Sequence, residues 1–116
     1  MFLPLAHTKL DVFSVSKAFV LACYKETKLF PSEEKFGMIS QIRRAALSVH
    51  LNVAEGCSRK SAVERKRYYE ISRGSAVEID AALETAVDLE YFKIESLQKS
   101  GVLLNECFAI LSKMMK

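Results

Sequence analysis

The sequence has no tryptophan, only four glycines and two prolines, and no long uncharged stretch, and these shortages exclude several classes of protein. A turn-rich all-β chain of this size needs more glycine and proline, so that class is excluded. The longest stretch without a charged residue, 45–54, is well below the roughly 18 residues that a membrane helix needs. We therefore expect no membrane partner.

The three cysteines are widely spaced and odd in number, which is typical of a reducing compartment rather than of a disulfide framework. Residues 1–10 lack a basic segment followed by an apolar core, so no signal peptide is expected and the predicted location is the cytoplasm. The chain does contain 50% hydrophobic and 27% charged residues, a balance typical of a globular protein. Its length predicts a single domain over residues 1–116.

Apolar residues recur at helical spacing and predict four helices, at about residues 11–28, 32–56, 61–91 and 95–115. The second helix has the clearest pattern, with apolar residues at a/d spacing along its length. Ser32 is expected to cap this helix, and Gly56 to end it as a C′ glycine. Ser61 and Glu64 form a capping box that opens the third helix. Since the connections are short, the predicted fold is all-α, an up-down-up-down antiparallel four-helix bundle.

No arrangement of residues typical of catalysis or metal binding is visible in the sequence. His7 and His50 have no Cys, Asp or Glu at zinc-ligand spacing, and the Glu-x-x-His pairs of di-iron bundles are absent. Asp80, Glu84 and Asp88 share one face of the third helix, which suits a cation but is more typical of an acidic face in solvent. We predict no enzymatic activity, no cofactor and no metal.

Charge is distributed unevenly along the chain. Residues 43–73 contain eight basic and three acidic residues, whereas residues 74–106 contain seven acidic and two basic ones. A basic segment favours polyanions or acidic protein surfaces, although helices also carry solvated charges on their outer faces. The predicted nucleic-acid-binding residues, here called the basic cluster, surround the turn between helices two and three: Arg59, Lys60, Arg65, Lys66 and Arg67.

Two segments are unusual for a plain helical bundle. A polar stripe lies roughly opposite the apolar seam of helix two: Arg44, Ser48, Asn52 and Glu55. In helix three, Arg73-Gly74-Ser75 places a glycine mid-helix, at a cost of about 1 kcal/mol relative to alanine. Either another helix approaches closely here or the residues reflect local packing alone. We predict an oligomer interface at the stripe and at Gly74 and Ser75, and a pairing of Glu55 with Arg73, either within the bundle or across an interface.

Three segments resemble the motifs of one bacterial family. Residues 41–56 read QIRRAALSVHLNVAEG and match the pattern Q-I-R-R-A-x-x-S-I/V-x-x-N-I/V-A-E-G. Residues 73–79 match R-G-S-x-x-E-I/L, and residues 29–37 match L-F/L-P-x-x-E-x-F/Y-G. The family is named for open reading frames in intervening sequences of 23S ribosomal RNA genes and is often labelled S23 ribosomal protein. The resemblance covers about residues 10–112, and His50 stands where many members have proline.

The resemblance implies an assembly and a set of motif residues, but no activity. Members are similar to the accessory variability protein of diversity-generating retroelements, a homopentameric barrel of four-helix bundles whose positive surface engages the reverse transcriptase and nucleic acid. Most members have no assigned activity, and the ribosomal label reflects gene location. The residues that match the motifs by position, none of them catalytic in the family's pattern, are Arg43, Arg44, Asn52, Glu55, Arg73, Ser75 and Glu78.

These observations together predict a non-enzymatic homo-oligomer, a pentamer by resemblance. It would bind RNA, DNA or a nucleoprotein partner such as a reverse transcriptase through the basic cluster. The alternative is a purely structural or protein-interaction scaffold that has no affinity for nucleic acid. The salt dependence of binding separates the two, because binding to phosphates weakens steeply as salt rises.

Overall fold

The computed structural model describes residues 2–5, 7 and 10–116, and their regular structure is helical, with no strand. Its four long helices pack so that α1 contacts α2 and α4, and α3 contacts the same two. The predicted antiparallel four-helix bundle is confirmed. The bounds of the helices are α1 Asp11–Thr27, α2 Met38–Cys57, α3 Ala62–Asp88 and α4 Gln98–Met114.

The apolar stripes of the four helices meet in a core of two adjoining clusters. The larger one contains Phe19 of α1, Val49 of α2 and Ile79 of α3, each with no exposed surface. The smaller one joins Tyr69 and Leu111 at the end of the bundle where α3 begins and α4 ends. Burying an apolar side chain of this size contributes about 1.5–3 kcal/mol to the free energy of unfolding. Burial of these side chains therefore holds the four helices together. None of the helices in the described residues combines the length and the apolar character needed to cross a membrane.

The second helix begins at Met38, and the prediction that it begins at Ser32 was wrong. Residues Ser32–Glu34 form a single 3-10 turn, and the Ser32 side chain makes no capping hydrogen bond. The Glu34 carboxylate instead accepts a hydrogen bond from the Met38 amide at 3.1 Å and another from the Tyr91 hydroxyl at 2.6 Å. A carboxylate held there satisfies a free amide at the start of α2, and its charge suits the positive end of the helix dipole.

The ends of the later helices also differ from the predicted ones. The third helix ends at Asp88 rather than near Tyr91, because Glu90 adopts a left-handed conformation with φ of 61°. The fourth helix begins at Gln98, after a 3-10 turn over Ile94–Leu97. At the start of α3, the Ser61 side chain accepts a hydrogen bond from the Glu64 amide at 3.1 Å. The Ser61 cap that the sequence predicts is therefore present.

Gly56 has a different role from the predicted one. It lies inside the last turn of α2 and does not have the positive φ of a C′ glycine. A Cβ atom at this position would lie 2.9 Å from Tyr68 Cβ and 2.9 Å from the ring of Tyr69. The missing side chain therefore allows α3 to approach α2 closely beside the turn that carries the basic cluster.

Candidate functional site

The basic cluster lies at one end of the bundle, around the turn that joins α2 to α3. Three of its five side chains, those of Lys60, Lys66 and Arg67, are exposed. Antiparallel packing brings the end of α4 to the same end of the molecule and adds the exposed Lys113 and Lys116. The sequence reasoning missed these two lysines because they are about 50 residues from the cluster along the chain, and only the up-down topology brings them close.

Arg59 is engaged within the protein rather than free for a ligand. Its guanidinium forms an ion pair with Glu55 one turn earlier in the chain. It also donates a hydrogen bond to the Tyr68 hydroxyl at 2.8 Å and lies 4.9 Å from the centre of that ring. These contacts link the end of α2 to the second turn of α3.

Arg65 fastens the same turn by a different set of contacts. Its guanidinium donates hydrogen bonds to the main-chain carbonyls of Arg59 at 3.0 Å and Lys60 at 2.7 Å. Carbonyls just after a helix have no partner within the helix, so a cation placed there satisfies them. Two of the five residues thus hold the turn together, which leaves Lys60, Lys66 and Arg67 to face solvent.

The predicted pairing of Glu55 with Arg73 is wrong within the protomer. Glu55 pairs with Arg59, whereas Arg73 lies on the α4 side of α3. The Arg73 guanidinium donates a hydrogen bond to the Ser112 hydroxyl at 3.3 Å and lies 5.5 Å from the centre of the Phe108 ring. Arg73 therefore joins α3 to α4.

One residue of the polar stripe of helix two, Ser48, contacts α3 across the junction of the two helices. The Ser75 hydroxyl donates a hydrogen bond to the Ser48 hydroxyl at 2.8 Å. The Asn52 amide donates to the Ser48 carbonyl at 2.8 Å, and the Ser72 hydroxyl, which is buried, donates to the Val49 carbonyl at 2.7 Å. The hydroxyls of Ser72 and Ser75 thus join α3 to α2 at close range, whereas the Asn52 amide bonds within α2. Ser48 and Ser75 face each other across this junction rather than a second subunit, and a place for Asn52 at an oligomer interface stays a prediction.

Arg43 also has a role inside the bundle. Its guanidinium donates hydrogen bonds to the Thr27 hydroxyl at 2.9 Å and to the Tyr24 carbonyl at 3.1 Å. It stacks over the Tyr24 ring, 4.7 Å from the ring centre. Arg43 therefore fastens α2 to the last turn of α1, whereas its neighbour Arg44 is exposed.

The remaining motif residues lie on an exposed surface formed by α2 and α3. We call it the α2–α3 outer face and define it by Arg44, Leu47, Leu51, Ile71, Gly74 and Glu78. Its apolar members are notably accessible, with Leu51 57% and Ile71 44% exposed. A Cβ atom at Gly74 would meet no other atom within 4 Å, so nothing in the protomer requires glycine there for close packing.

The described residues show no group of three or more His, Cys, Asp or Glu side chains placed to hold a metal ion. Cys23 and Cys107 are buried, and burial raises the pKa of each thiol to about 12. A thiol with such a pKa is protonated at neutral pH and is a poor nucleophile.

The fold and the motif residues define a class of protein, an antiparallel four-helix bundle whose α2–α3 junction is built from small polar side chains. The family model described as 23S rRNA-intervening sequence protein matches residues 8–113, and the chain belongs to that family. The predicted family resemblance is confirmed. No curated protein matches the chain.

A solved structure shows the same fold. It is the crystal structure of a protein with unknown function from the S23 ribosomal protein family of Bacteroides thetaiotaomicron. The two chains superpose with a TM-score of 0.83 at 24% sequence identity, over 90% of this chain and 98% of that one. At this identity the likeness concerns the fold alone.

Proposed function

We propose that this protein is a cytoplasmic, non-enzymatic homo-oligomer that binds RNA or DNA through its basic end. The basic end comprises the basic cluster together with Lys113 and Lys116. The observation that carries the proposal is the group of exposed cations at this end. Among the described residues, Lys60, Lys66, Arg67 and Lys113 form no ion pair, so each can approach a phosphate.

The position of these cations near the start of α3 opposes the helix dipole and by itself argues against the proposal. Lys66 and Arg67 are the fifth and sixth residues of α3, where this unfavourable interaction is already weak, because the effect of the dipole falls off within the first turn. A bound phosphate would interact favourably with both the cations and the helix terminus. Repetition of the basic end around an oligomer would strengthen the positive field.

The homo-oligomer would form through the α2–α3 outer face. Leu47, Leu51 and Ile71 are exposed there, and Gly74 presents no side chain, so a second helix can approach closely. A pentamer, and a partner such as a reverse transcriptase or another nucleoprotein, rest on the resemblance to the accessory variability protein. The same exposed apolar face also favours the alternative function, a protein-interaction scaffold without affinity for nucleic acid.

The test is fluorescence anisotropy with a labelled single strand at 50 and 200 mM salt. If about four phosphates are neutralised, the fourfold rise in salt should weaken binding by about 50-fold. The triple variant Lys66→Glu/Arg67→Glu/Lys113→Glu should lose binding. It spares Arg59 and Arg65, which hold the turn between α2 and α3.

The matched control is Lys25→Glu/Lys28→Glu/Lys35→Glu, which makes the same change of charge at the opposite end of the bundle. This control variant should still bind the strand, more weakly only through the change in net charge. Absence of binding by the wild type at low salt, or equal losses in both triple variants, would leave the scaffold function as the better account.

A further inference from the structure

Helices α3 and α4 leave an open groove between them. It has a volume of about 550 Å³ and begins beside Ile94, in the turn before α4. A smaller depression of about 280 Å³ reaches Phe108 and shares Asp80, Gly101 and Leu104 with it. The two form one continuous channel along the helices, here called the α3–α4 groove.

The floor of the groove is apolar. Leu83 and Leu97 are buried at its base, and Leu104 lies beneath the point where the two volumes join. At the open end, Ile94 is 66% exposed, so folding has left part of this apolar surface uncovered. Contact with an apolar side chain of a partner would remove this surface from water.

One edge of the groove is acidic. Asp80, Glu84 and Asp88 follow each other at one-turn intervals along α3, and all three line the groove. They are exposed, and in the part of the chain that the structure describes none of them forms an ion pair. The last carbonyls of α3 add negative potential beside Asp88. This edge therefore favours cations that are spaced one helical turn apart.

The opposite edge is uncharged and open. Gln98, Gly101 and Asn105 of α4 form it. A Cβ atom at Gly101 would meet no other atom within 4 Å, so the missing side chain keeps the channel wide rather than allowing two helices of the protomer to touch. At Gly101 this edge therefore presents no side chain to a partner.

From the apolar floor and the acidic edge we infer that the α3–α4 groove is a docking site for a cationic amphipathic helix of a partner protein. Apolar residues at i, i+3, i+4 and i+7 of that helix would lie on Leu83, Leu97 and Leu104. Lys or Arg residues one turn apart on its flank would pair with Asp80 and Glu84. The site uses no residue of the basic end or of the α2–α3 outer face, so it is independent of the proposed function.

The exposed side chains argue against a second copy of this chain as the occupant. In α1 the exposed Lys17 and Lys25 lie one turn either side of Leu21, but Leu21 is the one large apolar side chain exposed on that helix, so α1 lacks an apolar stripe. The exposed apolar pair Leu47 and Leu51 is flanked by Arg44 on one side and by Glu55 on the other, so it brings no excess of positive charge to the acidic edge. Two of the exposed cations of the basic cluster, Lys66 and Arg67, lie on α3 itself, whose apolar stripe is already buried in the bundle, and Lys60 lies in the turn before it. A helix from another protein can supply both features.

The experiment uses a labelled 14-residue helical peptide with leucines on one face and lysines on both flanks. Its controls are a peptide of the same composition in scrambled order and one with glutamate in place of lysine. Wild-type protein should bind only the amphipathic lysine peptide, and amide chemical shifts should change at Gln98, Gly101 and Leu104. The variants Gly101→Trp, which fills the groove, and Glu84→Lys should weaken binding by about tenfold or more.

A matched variant shows whether the loss is specific. Glu106→Lys makes the same charge reversal on an exposed part of α4 outside the groove, so it should bind within about twofold of the wild type. The proposal would be overturned if Gly101→Trp and Glu84→Lys bound the peptide as tightly as the wild type does. Chemical shift changes confined to another face of the protein would also overturn it. A change of oligomer mass in Gly101→Trp would assign the groove to a second copy and overturn it too. If Gly101→Trp does not fold, the peptide affinity of Glu84→Lys compared with that of Glu106→Lys tests the proposal.

Discussion

At the scale of single residues, Arg43 and Arg44 show how neighbouring motif positions can differ in role. Arg43 donates to Thr27 and to the Tyr24 carbonyl, whereas Arg44 is exposed and makes no side-chain hydrogen bond that the structure describes. We expect Arg43→Ala to lower the free energy of unfolding by about 2 kcal/mol, since hydrogen bonds to charged groups contribute about 1.5–3. Arg44→Ala should change it by less than about 0.5 kcal/mol.

Urea denaturation of both variants measures the difference between the two arginines. Arg43→Lys should recover only part of the loss, because an ammonium cannot both stack on the Tyr24 ring and donate in the fixed geometry of a guanidinium. Equal stability of the two alanine variants would contradict the assignment of Arg43 to the packing of α1 against α2.

His50 gives the protein a predictable response to acid. Its ring lies 2.7 Å from the Ser16 hydroxyl and 4.6 Å from the Phe13 ring centre, and its pKa is lowered by burial first, then by Lys17 and His7. A lowered folded pKa means that the unfolded chain takes up the proton first. This group should therefore not affect stability above the ordinary histidine pKa near 6.5. Stability should fall as the pH drops from that value to the lower pKa of His50 in the folded protein.

Melting temperatures at pH 7.5 and 5.5 check this expectation. The wild type should lose stability between pH 7.5 and 5.5, and His50→Gln should lose less. Glutamine can still form a hydrogen bond with Ser16, but it does not titrate. Identical pH dependence of the two proteins would show that His50 does not contribute to the acid response.

At the scale of helices, the sequence predicted the features that follow from periodic spacing. It missed those that depend on contacts between residues far apart in the chain. The four helices follow from the spacing of apolar residues, and the Ser61 cap follows from a local motif. The start of α2 could not be predicted, because the carboxylate that caps it is held by Tyr91, which is distant in sequence. Similarly, the polar stripe of helix two was assigned to an outer surface, although Ser48 meets Ser75 across the junction with α3.

The two glycines Gly56 and Gly101 should respond in opposite ways to the same substitution. Alanine is the better helix former by about 0.8–1 kcal/mol, so Gly101→Ala should raise the free energy of unfolding by about that amount. Gly56→Ala should lower it by about 1–3 kcal/mol, because a Cβ atom 2.9 Å from Tyr68 Cβ and from the Tyr69 ring forces α2 and α3 apart.

Chemical denaturation of the two alanine variants measures both changes in the free energy of unfolding in the same protein. Gly74→Ala serves as a second control, since its added Cβ atom would also meet nothing within 4 Å and should be stabilising. A stabilising Gly56→Ala would contradict the close approach of the two helices at this position.

At the scale of the whole molecule, topology decides which charges act together. The bundle is 44 Å long, and α3 spans most of that length, so the basic start and the acidic later part of α3 lie toward opposite ends. The sequence predicted the five residues of the basic cluster from their proximity in the chain. It could not divide them into Arg59 and Arg65, which hold the turn, and the exposed cations, because that division depends on carbonyls and hydroxyls placed by the fold.

The assembly of the molecule is the property that the α2–α3 outer face should control. Light scattering coupled to size exclusion should give about five times the protomer mass of 13.1 kDa for the proposed pentamer. Gly74→Leu should lower this mass, because it places a bulky side chain where a second helix is expected to approach. Gly101→Leu introduces the same side chain at another glycine without a neighbour inside the protomer, and it should leave the mass unchanged. A monomeric wild type at micromolar concentration, or an assembly that tolerates Gly74→Leu, would show that this face does not join the subunits.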